Sequence, residues 1–266
     1  MHQHFLSIAE WVDPADTVDR IIIGDPETEV RRVLVTWMST FDAVRAAATR
    51  GCQMLITHEP TFWVHSHELE AVARDSHPIR RGLAARKKQF IEDHRLVILR
   101  VHDTWDGMPD IGIPWAWARY LELGTQPAAT DARRLHHRYD VEPVKLDTLA
   151  RRVAEKTAAF GESAVQVVGH GDCVVAKVGV GTGCYCSPLT FQELGCDVSI
   201  VCDDGNWYWE NLQCAADNDH PIIRVNHASS EEPGMVTLTQ YVNDTFPEVV
   251  AEHLPHGSCF RLVGRV

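Results

Sequence analysis

The sequence predicts an α/β fold of two lobes, with mixed, largely parallel sheets flanked by helices. Three observations predict it. Short runs rich in β-branched and apolar residues alternate with longer segments of helical composition, the pattern of strand–helix units that build a parallel sheet. Gly and Pro punctuate that alternation where strands and helices should stop. Three strand ends, far apart along the chain, each carry His and a carboxylate, and ligands of open α/β sheets gather at the carboxyl ends of strands.

The elements follow in order. Arg32 to Trp37 is a buried strand in composition. Ser39 or Thr40 can cap the next helix, which runs to about Arg50 and is ended by Gly51. Cys52 to Thr57 forms a second strand, stopped by Pro60. A polar loop reaches about Ser76, and Pro78 then opens a helix to about His94. Arg95 to Val101 is a third strand, and Pro114 to Leu123 a short helix closed by Gly124. Thr125 to Thr130 has the composition of a linker. Beyond it, Asp147 is placed to cap a helix from Thr148 to Phe160, with strands over Ala164–Val168 and Val174–Val180. A helix near Leu189–Leu194 leads to the strand Asp197–Cys202, and the helix Trp209–Ala216 to the strand Pro221–Val225. A helix from Pro233 to about Phe246 and a strand from Cys259 to Val263 close the chain. Gly179-Val180-Gly181-Thr182-Gly183 lacks the spacing of a dinucleotide loop and reads as a tight turn.

Composition narrows the function classes. The formal net charge of −12 argues weakly against a nucleic-acid binder, which usually shows a basic face, and favours attraction of cations. No apolar run approaches the roughly 20 residues that cross a bilayer, and Met1 to Phe5 shows no secretory signal; the expected location is the cytoplasm. The eight cysteines lack paired zinc-knuckle spacing and read as reduced thiols, mostly buried.

The chemistry lies in the three strand-end clusters. His58-Glu59 follows the second strand, His102 to Asp106 the third, and His227 to Glu231 the strand that ends at Val225. One such residue alone is commonly a cap or loop hydrogen bond. Together, His58, Glu59, Asp106, His227 and Glu231 offer imidazole nitrogens and three carboxylates, donors suited to Zn, Mn and Fe. Five such ligands exceed one tetrahedral site and suit two divalent ions bridged by a carboxylate. His65-Ser66-His67-Glu68 and His136-His137 could bind metal but read more simply as loop or strand-surface histidines, and Trp207-Tyr208-Trp209, which could form a stacking platform, reads as core or interface packing.

Gly24-Asp25-Pro26, the strand ending in Trp37, Met54-Leu55-Ile56-Thr57-His58-Glu59-Pro60, His102-x-x-x-Asp106 and His227-x-x-x-Glu231 occur in this order. Together they resemble the NIF-three-like dinuclear-metal-centre family, some of whose members carry the label GTP cyclohydrolase I type 2. The similarity runs from about Ile8 to Val266 and is thinnest between Thr125 and Ala164. The resemblance implies two divalent metal ions per subunit and a toroidal homohexamer. The family's first motif normally reads His-His-Pro. His58 matches its first histidine, and Glu59 stands in place of the second. A carboxylate there is a harder donor, which moves the expected metal from Zn towards Mn, Fe or Mg. Asp106, His227 and Glu231 match the remaining ligands, with Glu231 as the bridge. His102 matches a position near the site, as a proton carrier or as a support for the ligands.

Because ligands lie early and late in the chain, residues 1–125 and 220–266 are expected to form one metal-binding lobe, with residues 126–219 inserted as a second. The function expected is that of a metal-dependent hydrolase using a metal-bridged hydroxide on a small-molecule substrate that the sequence does not name. The alternatives are ring opening of GTP and a non-catalytic metal-binding scaffold or regulatory partner.

Overall fold

The computed structural model describes residues 1–263. In chain order its strands are β1 (Arg20–Ile23), β2 (Arg32–Met38), β3 (Met54–Glu59), β4 (Val97–Arg100), β5 (Ala129–Thr130), β6 (His137–Lys145), β7 (Gln166–Val168), β8 (Val174–Val180), β9 (Val198–Cys202), β10 (Ile222–Val225) and β11 (Val250–His253). Its α-helices are α1 (His2–Ile8), α2 (Phe41–Thr49), α3 (Glu68–Ala73), α4 (Pro78–Asp93), α5 (Asp103–Asp106), α6 (Ile113–Tyr120), α7 (Leu146–Thr157), α8 (Pro188–Glu193), α9 (Gln213–Asp217) and α10 (His227–Thr245). They form two compact units, Met1–Trp105 with Met235–His256, and Asp106–Gly234 with the segment from Gly257 on. Among the described residues no helix is long and apolar enough to cross a membrane.

The first unit is built on a sheet in the order β1-β4-β3-β2-β11. All its pairings are parallel except that of β1 with β4. Every residue of β3 is buried, as a central parallel strand covered on both faces requires. Thr40 caps α2 by accepting from the backbone N–H of Ala43, and Pro78 occupies the first turn of α4. Leu34, Val44, Ala47, Leu55, Ile91 and Ile98 belong to the core between these helices and the sheet. The helix α3 lies inside the segment that the sequence reads as loop. The closing strand also differs from expectation: β11 pairs parallel with β2, while Cys259 to Val263 forms no strand and leaves Phe260, Leu262 and Val263 exposed. As an edge strand half open to solvent, β11 needs no continuous apolar run, so Val-Ala-Glu-His does not announce it.

The second unit carries a sheet in the order β5-β6-β8-β9-β10-β7. Only β8–β9 and β9–β10 are parallel pairs, so this sheet is more antiparallel than the strand–helix alternation implies. The long strand β6 was not legible, because its outer half alternates with Pro and charged residues. Trp117 and Ala118 of α6, with Leu121 at its C-terminal cap, pack with Leu149 and Val153 of α7, Val178 of β8 and Ile200 of β9. Thus α6 and β10, placed by the sequence in the first lobe, belong to the second unit. The glycines at 179 and 181 serve packing. A Cβ at Gly179 would stand 2.6 Å from Cδ1 of Phe191, and one at Gly181 2.3 Å from Sγ of Cys186. At Gly183, φ is +72°, so this position does make the expected turn.

A buried ammonium group lies in the first unit. Nζ of Lys87 donates to the carbonyls of Ser39 and Thr61 at 2.8 and 2.7 Å. Burial pulls its pKa down from 10.5 to about 8, with Glu68 opposing the fall. Between these two values the unfolded chain holds a proton that the folded chain has released, so stability should rise with pH through that window. Below it the cost of the buried charge stands in full. Urea midpoints of the wild type, taken relative to Lys87→Met, should climb from about pH 8 to 10.5. A flat difference would show that Lys87 titrates as in the unfolded chain.

Candidate metal centre

Because β2, β3 and β4 run parallel, their carboxyl ends emerge at one edge of the first sheet. There β3 ends in His58-Glu59, and β4 leads through Val101 into His102. The His58 ring is fully buried and stacks on His102, with centroids 4.3 Å apart and planes 12° from parallel. Nδ1 of His58 lies 3.1 Å from the carbonyl oxygen of Val101. A carbonyl can only accept, so Nδ1 carries a proton and the ring's other nitrogen, Nε2, is turned away from that contact. His102 is oriented the same way, its Nδ1 2.9 Å from Oδ1 of Asp103.

Two further aspartates fix this edge. Asp19 is buried and accepts from the backbone N–H groups of His102, Asp103 and Thr104 at 2.6, 2.9 and 2.8 Å. It thereby supplies acceptors for donors that a helix start leaves without partners. Asp103 also accepts from the Thr17 hydroxyl at 2.7 Å. Burial opposes its charge, but the hydrogen bonds from His102 and Thr17 hold the Asp103 carboxyl well below the usual range. One short helix on from His102, α5 ends in Asp106. Glu59 is 6 % exposed. Its Oε1 lies 3.7 Å from Nε2 of His102, and its Oε2 lies 3.5 Å from Nε2 of His65.

In the second unit β9 and β10 are parallel neighbours with Val225 beside Cys202, so the residues after them meet. Asp203 accepts from the backbone N–H of His227 at 2.7 Å and so caps the first turn of α10. Nδ1 of His227 is 3.5 Å from Oδ2 of Asp204, and its Nε2 is 2.9 Å from Oε1 of Glu231 one turn later. Glu231 is 2 % exposed. The turn after β8 passes beside this pair, since a Cβ at Gly183 would lie 3.8 Å from both Oε1 of Glu231 and Nε2 of His227. The helix α10 begins six residues before Pro233 and carries that proline inside it. Proline suits a first turn, which is why the sequence places the helix start too late. The structure thus puts His227 and Glu231 on one helix face.

The donor set fits a divalent cation. Buried carboxylates are normally paired or coordinate metals, and Glu59 and Glu231 are both buried beside imidazoles. His58 and His102 each engage Nδ1 with an oxygen acceptor and present Nε2, as metal-binding histidines do. Among the described residues of the first unit, His58, Glu59 and His102 take part in His/Glu/Asp groups that could hold a metal ion. Of the residues singled out in the sequence, His58, Glu59 and His102 come together in the first unit, and His227 and Glu231 in the second. The sequence reading missed the supporting roles of Asp19, Asp103, Asp203 and Asp204, and it set His65 aside as a loop histidine. Asp203-Asp204 directly follow a strand end, so the rule that found the other clusters applies to them as well. His65 stands in a His-x-His-Glu run that is visible in the sequence, but only the fold of its loop brings it to Glu59.

Comparison with known proteins agrees with this architecture. The Duf34/NIF3 (NGG1p interacting factor 3) family matches residues 12–255. A protein of Chlamydia pneumoniae named GTP cyclohydrolase 1 type 2 homolog is 19% identical over 228 residues, covering 85% of this chain and 84% of the relative. The Staphylococcus aureus hypothetical protein SA1388 superposes with a TM-score of 0.76 at 16% identity, over 98% of this chain and 97% of that one. A Bacillus cereus protein related to NIF3 gives 0.72 at 15% identity, over 98% and 99% of the two chains. At such identities the structural likeness shows the fold. With the family match extending over nearly the whole chain, the protein belongs to the Duf34/NIF3 family.

Proposed function

We propose that this protein is a metal-dependent hydrolase in which His58, Glu59, Asp106, His227 and Glu231 hold a pair of divalent ions. The observation that carries the reading is the burial of Glu59 and Glu231 beside imidazoles, since buried carboxylates of this kind call for a cation. Bound ions would supply acidified water and polarise a substrate oxygen. Three carboxylates favour Mn, Fe or Mg over Zn. His102 would take or give a proton at Nε2, its ring held by Asp103 at Nδ1.

The test is a panel of phosphate esters, with GTP included because the Chlamydia pneumoniae relative carries that name. Chelator-treated protein should be inactive and should recover with Mn or Fe. Activity persisting undiminished in Glu231→Ala would sink the hydrolase reading. Formate released from GTP would favour ring opening over ester cleavage. No turnover by metal-loaded protein would favour a scaffold.

A further inference from the structure

We propose that His65 is a further metal ligand of this centre, sharing an ion with Glu59; the assignment rests on the metal-binding reading above. Three observations lead to it. The first is distance. Nε2 of His65 stands 3.5 Å from Oε2 of Glu59, beyond the 2.7–3.2 Å of an N–H···O hydrogen bond. Two donors each about 2.1 Å from one ion stand roughly 3.0 Å apart at a right angle and roughly 3.4 Å apart at the tetrahedral angle. The separation therefore suits a shared cation better than a direct bond.

The second is direction. The rings of His65 and His102 meet edge to face at 5.5 Å and 83°, and each ring's Nε2 faces a different oxygen of Glu59. Glu59 thus stands between two imidazoles, one on either oxygen.

The third is that the loop holding His65 is built to keep it there. Arg100, fully buried, donates through Nη2 to the carbonyl of His65. Glu68, also buried, accepts from the backbone N–H of Phe62 at 2.7 Å, and Lys87 binds the carbonyl of Thr61. Trp63 and His67, on either side of His65, sit at φ of +63° and +51°, a region that non-glycine residues rarely adopt. A surface histidine with no task would need no such backbone anchoring by three buried charges.

The experiment titrates metal-free full-length protein with Co²⁺, reads the visible absorption of the bound ion, and measures dissociation constants by chelator competition, repeating the competition with Mn²⁺. His65→Ala and His65→Gln should weaken one ion by at least about tenfold and change the Co²⁺ spectrum. His67→Asn, whose side chain suits the left-handed backbone, should leave both unchanged. Thermal melting of the metal-free variants checks that the fold is kept. Wild-type affinity and an unchanged spectrum in both His65 variants would overturn the assignment alone, provided that His227→Ala/Glu231→Ala loses its ions. Absence of any bound ion in the wild type would overturn both this assignment and the reading beneath it.

Discussion

Replacing His227 and Glu231 together by Ala should reduce bound metal from the proposed pair of ions to a trace. Both residues lie on the first turns of α10, with Nε2 of His227 2.9 Å from Oε1 of Glu231. Glu231 is the candidate bridge, and a bridging carboxylate serves both ions, so its removal should release the pair. His227 is held by Asp203 at its backbone and faces Asp204 at Nδ1. Its loss removes an imidazole but leaves that capping contact in place. The variant should therefore keep its fold while losing its ions. The measurement is elemental analysis of protein purified without added metal, beside far-ultraviolet circular dichroism of both forms. Equal metal in wild type and variant would place the ions elsewhere. Only a trace in both would mean that Glu59, in place of an imidazole, leaves the pair too weak to survive purification.

The second large effect concerns stability. Arg100→Met should lower the free energy of unfolding by about 3–5 kcal/mol, the range for removing one partner of a buried ion pair. Arg100 and Glu68 meet at 2.9 Å with their side chains 0% and 2% exposed. Arg100 also donates through Nε to the carbonyl of Val18 at 2.9 Å and through Nη2 to that of His65. Its loss leaves the Glu68 charge in a dry site, where burial already pushes that carboxyl up against the pull of Arg100. Urea unfolding should show a markedly lower midpoint for Arg100→Met. The double variant Arg100→Met/Glu68→Gln should recover part of the loss, because the orphaned charge is gone while the amide oxygen still accepts from Phe62. An unshifted midpoint in the single variant would mean that water reaches the pair. Since the same pair anchors the loop bearing His65, the single variant should also exchange the Phe62 amide proton faster.

The strand–helix skeleton was readable because its signals are local. A buried parallel strand such as Leu34-Val35 or Leu55-Ile56 is a continuous apolar run, and Thr40, Pro78 and Gly51 announce helix ends by their own backbone chemistry. The three His–carboxylate clusters were readable for the same reason, since each follows directly on its strand. Their order along the chain also carried the family resemblance.

What the sequence by itself determined is therefore the residue types at strand ends, and with them the α/β class, the family and the candidate ligands. Tertiary structure alone decided which strands pair, so β11 and not Cys259–Val263 completes the first sheet, and β10 lies in the second. It also decided the supports. Asp19 reaches α5 across more than eighty residues of chain, Asp203 reaches α10, and His65 reaches Glu59 from a loop held by Arg100. Edge strands and long-range hydrogen bonds leave little trace in the local pattern. Their stabilisation comes from a partner brought close only when the chain has folded, whereas a cap or a buried strand is set by neighbours a few residues away.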